Sequence, residues 1–127
     1  MKWSDYKQQA KARGALALEL YVAQSVPAKG PDDVKAALPA HLEYQAGLEA
    51  KGALAFAGPM SDETGEEMQG MGLIIYRADS LDAARALAAA DPMHQSGARM
   101  FTLRRWMSNE GSVSMKVGLS TKSVILS

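Results

Sequence analysis

The sequence predicts an α+β domain: four strands in one antiparallel sheet, with two helices covering a single face of it. Three observations lead there. Stretches with a two-residue repeat, at 15–25, 53–58, 72–78 and 98–106, are separated by stretches with a helical repeat at 32–51 and 81–90. The breaks between them fall on glycine and proline, at Pro27, Gly30-Pro31, Gly58-Pro59, Asp91-Pro92 and Gly97. The resulting order, strand–helix–strand–strand–helix–strand, is the split βαβ arrangement of ferredoxin-like proteins. Right-handed crossovers place both of its helices on the same side.

Before the first strand, residues 4–13 read as a short polar helix with Ser4 as N-cap and Gly14 as its left-handed stop. In the strand at 15–25, Leu16, Leu18, Leu20 and Val22 point one way. Ala15, Ala17, Glu19, Tyr21 and Ala23 point the other. The aliphatic face is expected under the helices. The mixed face, with Glu19, Tyr21 and Tyr76, is expected on the bare side, where it suits a ligand or a second subunit.

The helix at 32–51 opens on Asp32 and Asp33 and closes at Gly52, and Pro39 should kink it or split it in two. Val34, Leu38, His41 with Leu42, Gln45 and Leu48 form one stripe, so His41 lies on or beside the sheet-facing side. An acidic loop at 61–69 joins the second strand to the third, whose Leu73-Ile74-Ile75-Tyr76 is apolar enough to be central. Ser80 caps the alanine-rich helix at 81–90. The tail, 108–127, reads as an extra hairpin suited to pairing with a neighbouring subunit's sheet edge. The expected division is a helical extension at 1–14, a ferredoxin-like domain at 15–107 and the tail. A sheet with one bare apolar face predicts a homodimer or higher homo-oligomer.

Composition narrows the function classes. The chain has 127 residues, 47% of them hydrophobic and 22% charged, enough for one domain with its own core. Fourteen basic and fourteen acidic side chains cancel, which leaves no electrostatic footprint for nucleic acid or for an anionic membrane. The absence of cysteine excludes disulfides, thiolate metal sites and cysteine nucleophiles, and fits a cytoplasmic location. Met1-Lys2-Trp3-Ser4-Asp5-Tyr6-Lys7 is charged and is no signal peptide, and no apolar run is long enough to span a membrane.

The chemistry concentrates at Ala90-Asp91-Pro92-Met93-His94. Proline disfavours the α conformation in the residue before it, so Asp91 is expected at a helix end, its carboxylate fixed by the backbone. One of the chain's two histidines follows it, and the other, His41, sits on the neighbouring helix. A neutral imidazole accepts a proton near pH 7, and a carboxylate on its other nitrogen fixes the tautomer. The bland alternative is a histidine satisfied at a helix–sheet seam, with Asp91 capping a turn.

Several runs together resemble the YciI-like (YCII-related) proteins. They are Ala40-His41-Leu42-Glu43-Tyr44, Leu48-Glu49-Ala50-Lys51-Gly52, Ala57-Gly58-Pro59, Ala90 to Gly97, Arg105-Trp106 and Asn109-Glu110-Gly111-Ser112. The resemblance spans roughly 15 to 112 and implies a dimeric α+β barrel of ferredoxin-like subunits. It implies an active-site pair at His41 and Asp91. One characterised member of that family is a dehydrochlorinase acting on a chlorinated hydroxyquinol. Met93 stands where familiar members have phenylalanine.

His94, Pro59 and Tyr21 complete the expected set as substrate-binding residues. His41, Asp91 and His94 also have the composition of a two-histidine, one-carboxylate metal site, but the spacing is generic, and no metal is expected. The acidic loop lacks the ligand periodicity of a calcium site. Arg99, Arg104 and Arg105 could hold an anionic ligand, but arginines on a terminal strand are more often solvated or paired. The expectation is a cofactor-independent acid/base enzyme acting on a small aromatic or enol-like molecule. A non-catalytic ligand-binding or assembly module is the alternative, and an oxygenase is a third reading by fold analogy alone.

Overall fold

Gly and Pro divide the chain where the sequence places the breaks, and between them lie the elements of the computed structural model, which describes residues 1–127. In chain order these are α1 (Trp3–Ala12), β1 (Leu18–Pro27), α2 (Pro31–Ala50), β2 (Leu54–Pro59), β3 (Gly72–Tyr76), α3 (Leu81–Ala90), α4 (Pro92–Gln95), β4 (Arg99–Ser108), β5 (Met115–Val117) and β6 (Val124–Leu126). By contact, the chain divides into two compact units. One is Glu19–Trp106; the other combines Met1–Leu18 with Met107–Ser127.

The larger unit holds the expected four-stranded sheet, in the order β2-β3-β1-β4. The central pair β1 and β3 is antiparallel, with Tyr21 opposite Tyr76 and Ala23 opposite Ile74. On the other side of β3, Ala57 faces Ile74 and Pro59 faces Gly72, with an irregularity between Leu54 and Phe56. The α+β, ferredoxin-like fold class is therefore the one the sequence predicts. Ser80 caps α3 by accepting the Ala83 amide at 3.0 Å.

Three local expectations are corrected. The helix at Pro31–Ala50 runs through Pro39 as one element, with Pro31 at its first turn, so Pro39 does not open a second helix. At α1 the N-cap is Lys2, without a side-chain cap, rather than Ser4. Gly14 does end that helix with φ 86°.

The third correction concerns the sheet's faces. Tyr21, Ala23, Ile74 and Tyr76 form the core together with Leu48 of α2 and Ala84 and Ala88 of α3. The helix-covered face is thus the mixed one; of the aliphatic set Leu16 and Leu18 are exposed and Val22 is half-buried, while Leu20 is buried without belonging to this core. The physical reason lies in α3, whose packing side is built from alanine. Alanine lets the helix approach closely but supplies little volume, so the bulk must come from the strands. The two tyrosines supply it. On the open face Val22, Leu73 and Ile75 line a shallow depression, with Phe56 and Met100 each 60% exposed around it.

Tyrosines under helices must place their hydroxyls. Tyr44 of α2 donates to the Leu87 carbonyl at 2.7 Å and so ties α2 to α3. The Tyr76 hydroxyl is buried with no hydrogen-bond partner, and burial first, then Asp91, pushes its pKa upward. Glu19 accepts the Tyr21 hydroxyl at 3.1 Å.

The smaller unit has its own cluster, in which Ala10, Ala17 and Met107 are buried with Trp3, Tyr6 and Ala15 against them. Asn109 donates to the Tyr6 hydroxyl at 3.0 Å. The predicted tail hairpin is present: β5 and β6 pair antiparallel with Lys116 opposite Ile125, and their apolar residues are exposed.

The unequal hydroxyls give a direct comparison. Tyr76→Phe should leave thermal stability unchanged or slightly raised, because it removes an unpaired buried group. Tyr44→Phe should cost about 1 kcal/mol, the net worth of one hydrogen bond. Urea unfolding of the two variants checks the difference.

Candidate functional site

Two helix ends meet at Asp91. Pro92 forces Asp91 out of the helical region, to φ −61° and ψ 126°, so Asp91 ends α3 and opens α4. Its backbone carbonyl accepts the amides of His94 and Gln95 at 2.9 and 2.8 Å. Its carboxylate accepts the Met93 amide at 2.9 Å. One residue thus fixes the four-residue helix, and the carboxylate, wholly buried, has no freedom to turn away.

The carboxylate's second partner comes from α2. Nδ1 of His41 lies 2.8 Å from both Asp91 oxygens, with 15% of the His41 side chain exposed. An ionised carboxylate can only accept, so Nδ1 donates and Nε2 is the basic nitrogen left over. His41 belongs to the Val34, Leu38, Leu42 and Gln45 stripe, and that stripe lines a cleft of about 410 Å³. Strand residues Ser25, Ala57, Pro59 and Ile74 line it too, as do Met68, Gly70 and Met71 of the β2–β3 connection.

A second polar group meets the cleft from the ends of β1 and β4. His94 donates from Nδ1 to the Ala88 carbonyl at 2.8 Å, so its Nε2 accepts the Ser25 hydroxyl at 2.8 Å. Arg99 Nε in turn donates to Ser25 Oγ at 2.8 Å, and its Nη2 donates to the carbonyls of Ser25, at 2.7 Å, and Gly70. The His94 ring also packs on Phe101, with 4.7 Å between centroids. Burial lowers the His94 pKa below its usual 6.5, with Arg99 and His41 adding to that and the Ala88 carbonyl and Asp91 opposing it. Desolvation likewise lowers Arg99, although Asp91 works against it.

Four of the five expected residues are therefore grouped. His41 and Pro59 line the cleft, Asp91 holds His41, and His94 acts on the cleft through Ser25. Tyr21 is elsewhere. It shares the helix-covered sheet face with Ser25 but lies four positions back along β1, packed in the core cluster with Leu48, Ala84 and Ala88, and so does not line the cleft. The sequence marks Arg99 only as one of three arginines on a terminal strand that could hold an anion, and does not single out Ser25. The available signal was topological: the end of β1 lies beside the start of its neighbour β4, which brings a serine and an arginine together.

Fold and site together define a ferredoxin-like α+β protein with a histidine–aspartate pair at a cleft between sheet and helices. The chain belongs to the YCII-related domain family, whose model matches residues 16–107. It is 36% identical over 66 residues to the uncharacterized protein YjpA of Bacillus subtilis (strain 168), covering 52% of this chain and 71% of that one. Among solved structures it is similar to the 5-chloro-2-hydroxyhydroquinone dehydrochlorinase TftG of Burkholderia phenoliruptrix AC1100, in complex with 2,5-dihydroxybenzoquinone. That similarity has a TM-score of 0.49 and 20% identity, over 68% of this chain and 92% of that one.

His94 gives a pH signature. Its folded pKa lies below the unfolded value, so protonation favours the unfolded chain. Its contribution to stability is full above pH 6.5 and is lost as pH falls below it. The melting temperature should therefore decline on acidification below that point, and His94→Gln should flatten that part of the curve. An unchanged slope in the variant would show that His94 is not the group responsible.

Proposed function

We propose that the chain is an acid/base enzyme that moves a proton on a small aromatic or enol-like molecule, in a lyase-like reaction of the dehydrochlorinase type. The observation that carries this reading is the His41–Asp91 pair: a fully buried carboxylate holds Nδ1 at 2.8 Å while the same ring lines an open cleft. A histidine serving only to fill a seam needs no cavity beside it. Here the ring is fixed in one tautomer, with Nε2 left as the base for a phenolic or carbon-bound proton. Asp91 orients the ring and stabilises the imidazolium that forms when the proton is taken. The proton removal and the loss of a leaving group such as chloride need no cofactor.

The cleft's walls suit such a molecule. Val34, Leu38, Leu42, Met68, Met71 and Met93 make them largely apolar, and Pro59 closes one side without offering an amide donor. An aromatic ring finds contact area there. The low polarity also strengthens each electrostatic interaction with the few polar groups present.

The assay uses 5-chloro-2-hydroxyhydroquinone, with chloride release as the readout, and enolisable 1,3-diketones in deuterium oxide, with loss of the proton signal as the readout. His41→Asn should slow whichever reaction occurs by about 100-fold or more, the usual contribution of a positioned base. Its melting temperature should stay within a few degrees of the parent. Unchanged rates in the variant would refute the role of His41 and leave a non-catalytic binding module as the better account.

The open sheet face supports a homodimer as the working form. Val22, Leu73 and Ile75 lie on that face with exposed Phe56, Met100 and Trp106 around them, an apolar surface costly to leave in water. Light scattering at micromolar concentration should give twice the 13.6 kDa chain mass. Ile75→Lys should shift the species toward the monomer. A 13.6 kDa particle in the parent protein would overturn the dimer.

A further inference from the structure

The proton transfer assigned to His41 makes no use of Arg99, and Arg99 is the only Lys, Arg, Asp or Glu lining the cleft. Its guanidinium is held on one side by three bonds, from Nε to Ser25 Oγ and from Nη2 to the Ser25 and Gly70 carbonyls. All three acceptors are neutral. The acid whose charge acts on it is Asp91, and both oxygens of Asp91 are spent on His41 and the Met93 amide. Nη1 is left with no protein acceptor.

A partly buried cation paired only with neutral oxygens is costly, and an incoming anion relieves that cost. The support behind Arg99 is directional as well. Because the Ala88 carbonyl takes the proton of His94 Nδ1, His94 Nε2 must accept the Ser25 hydrogen. That turns the Ser25 lone pairs toward Arg99 Nε. The guanidinium is therefore fixed before any ligand arrives, and little side-chain entropy remains to be lost on binding.

We propose that the cleft binds a small organic anion carrying its charge on oxygen, as a carboxylate or an ionised enol, and that Arg99 Nη1 is the donor that receives it. His94 and Ser25 are positioning residues for that guanidinium. The inference deepens the acid/base reading, since it uses the same cleft, but it concerns binding and does not depend on turnover.

The test is titration calorimetry of the full-length protein with two matched pairs of probes. One pair is 2-hydroxybenzoate and 2-hydroxybenzamide. The other is 2-hydroxy-1,4-naphthoquinone, ionised at neutral pH, and its neutral 2-methoxy ether. The protein should bind at least one anion about tenfold or more tightly than its neutral partner, and the pair that shows this tells a carboxylate site from an enolate site. Arg99→Gln should reduce the preference to within about twofold, whereas His41→Asn should retain it. If Arg99→Gln does not fold, Arg99→Lys replaces it. Loss of the planar fork should then cut the preference several-fold. Equal binding of anion and neutral partner by the parent protein, no binding of any probe, or a preference untouched by the Arg99 changes would each overturn the proposal. The acid/base reading fails separately, by proton transfer that survives His41→Asn while the Arg99-dependent preference remains.

Discussion

The carboxylate of Asp91 is the group on which the site depends, and its position follows from a steric rule rather than from a favourable contact. Proline at 92 denies Asp91 the helical conformation, so α3 must stop there and the side chain must serve the next turn. A buried carboxylate in an apolar setting needs donors on its oxygens. It finds one in the Met93 amide, which α4 supplies, and one in His41, which α2 supplies. Helix termination, burial and histidine orientation are thus one structural event seen at three levels. Removing the carboxylate would free the His41 ring and uncap α4 together.

The packing around this junction explains why the cleft lies where it does. Alanine-rich α3 sits close to the sheet, and Tyr21 and Tyr76 fill the layer beneath it. Toward the far end of β1 the sheet residues become small and polar, at Ala23 and then Ser25, and the helix opposite offers the Val34 to Gln45 stripe. Less volume is available there, and a cavity remains. Its polar wall is assembled from strand ends, where Arg99 reaches back to Ser25 and across to the Gly70 carbonyl. Gly70 has φ 91°, and a Cβ there would meet Pro27 at 2.7 Å, so the loop can approach so closely only with glycine at that position.

Much of the fold was legible because it depends on local rules. Turn residues, the Ser80 cap and the alternation of strands act over a few positions, and each left its mark. The junction at Asp91 was legible for the same reason, since a residue before proline is constrained whatever surrounds it. The covered face of the sheet was not. Alternation along β1 separates Tyr21 and Ala23 from Leu20 and Val22, but which set packs against the helices depends on the volume they bring, and that is a property of the packed pair. Pro39 left a kink and a split both open for a related reason: a proline costs a helix one hydrogen bond and some strain, and the tertiary packing of Leu48 and Tyr44 holds α2 together across it. Ser25 and Arg99 lie 74 positions apart and carry no motif, so only the strand order brings them together.

The account rests on His41 carrying its proton on Nδ1, toward Asp91, with Nε2 unprotonated at the cleft. Histidine-selective ¹⁵N labelling and long-range proton–nitrogen correlation, recorded in mildly alkaline solution, reads this directly. The predicted result is the Nδ1–H tautomer for both histidines: His41 held by a carboxylate, His94 by a carbonyl. An Nε2–H tautomer for His41, or a ring exchanging between the two forms, would contradict it, because the base assigned to the cleft would then already be protonated or would not be fixed.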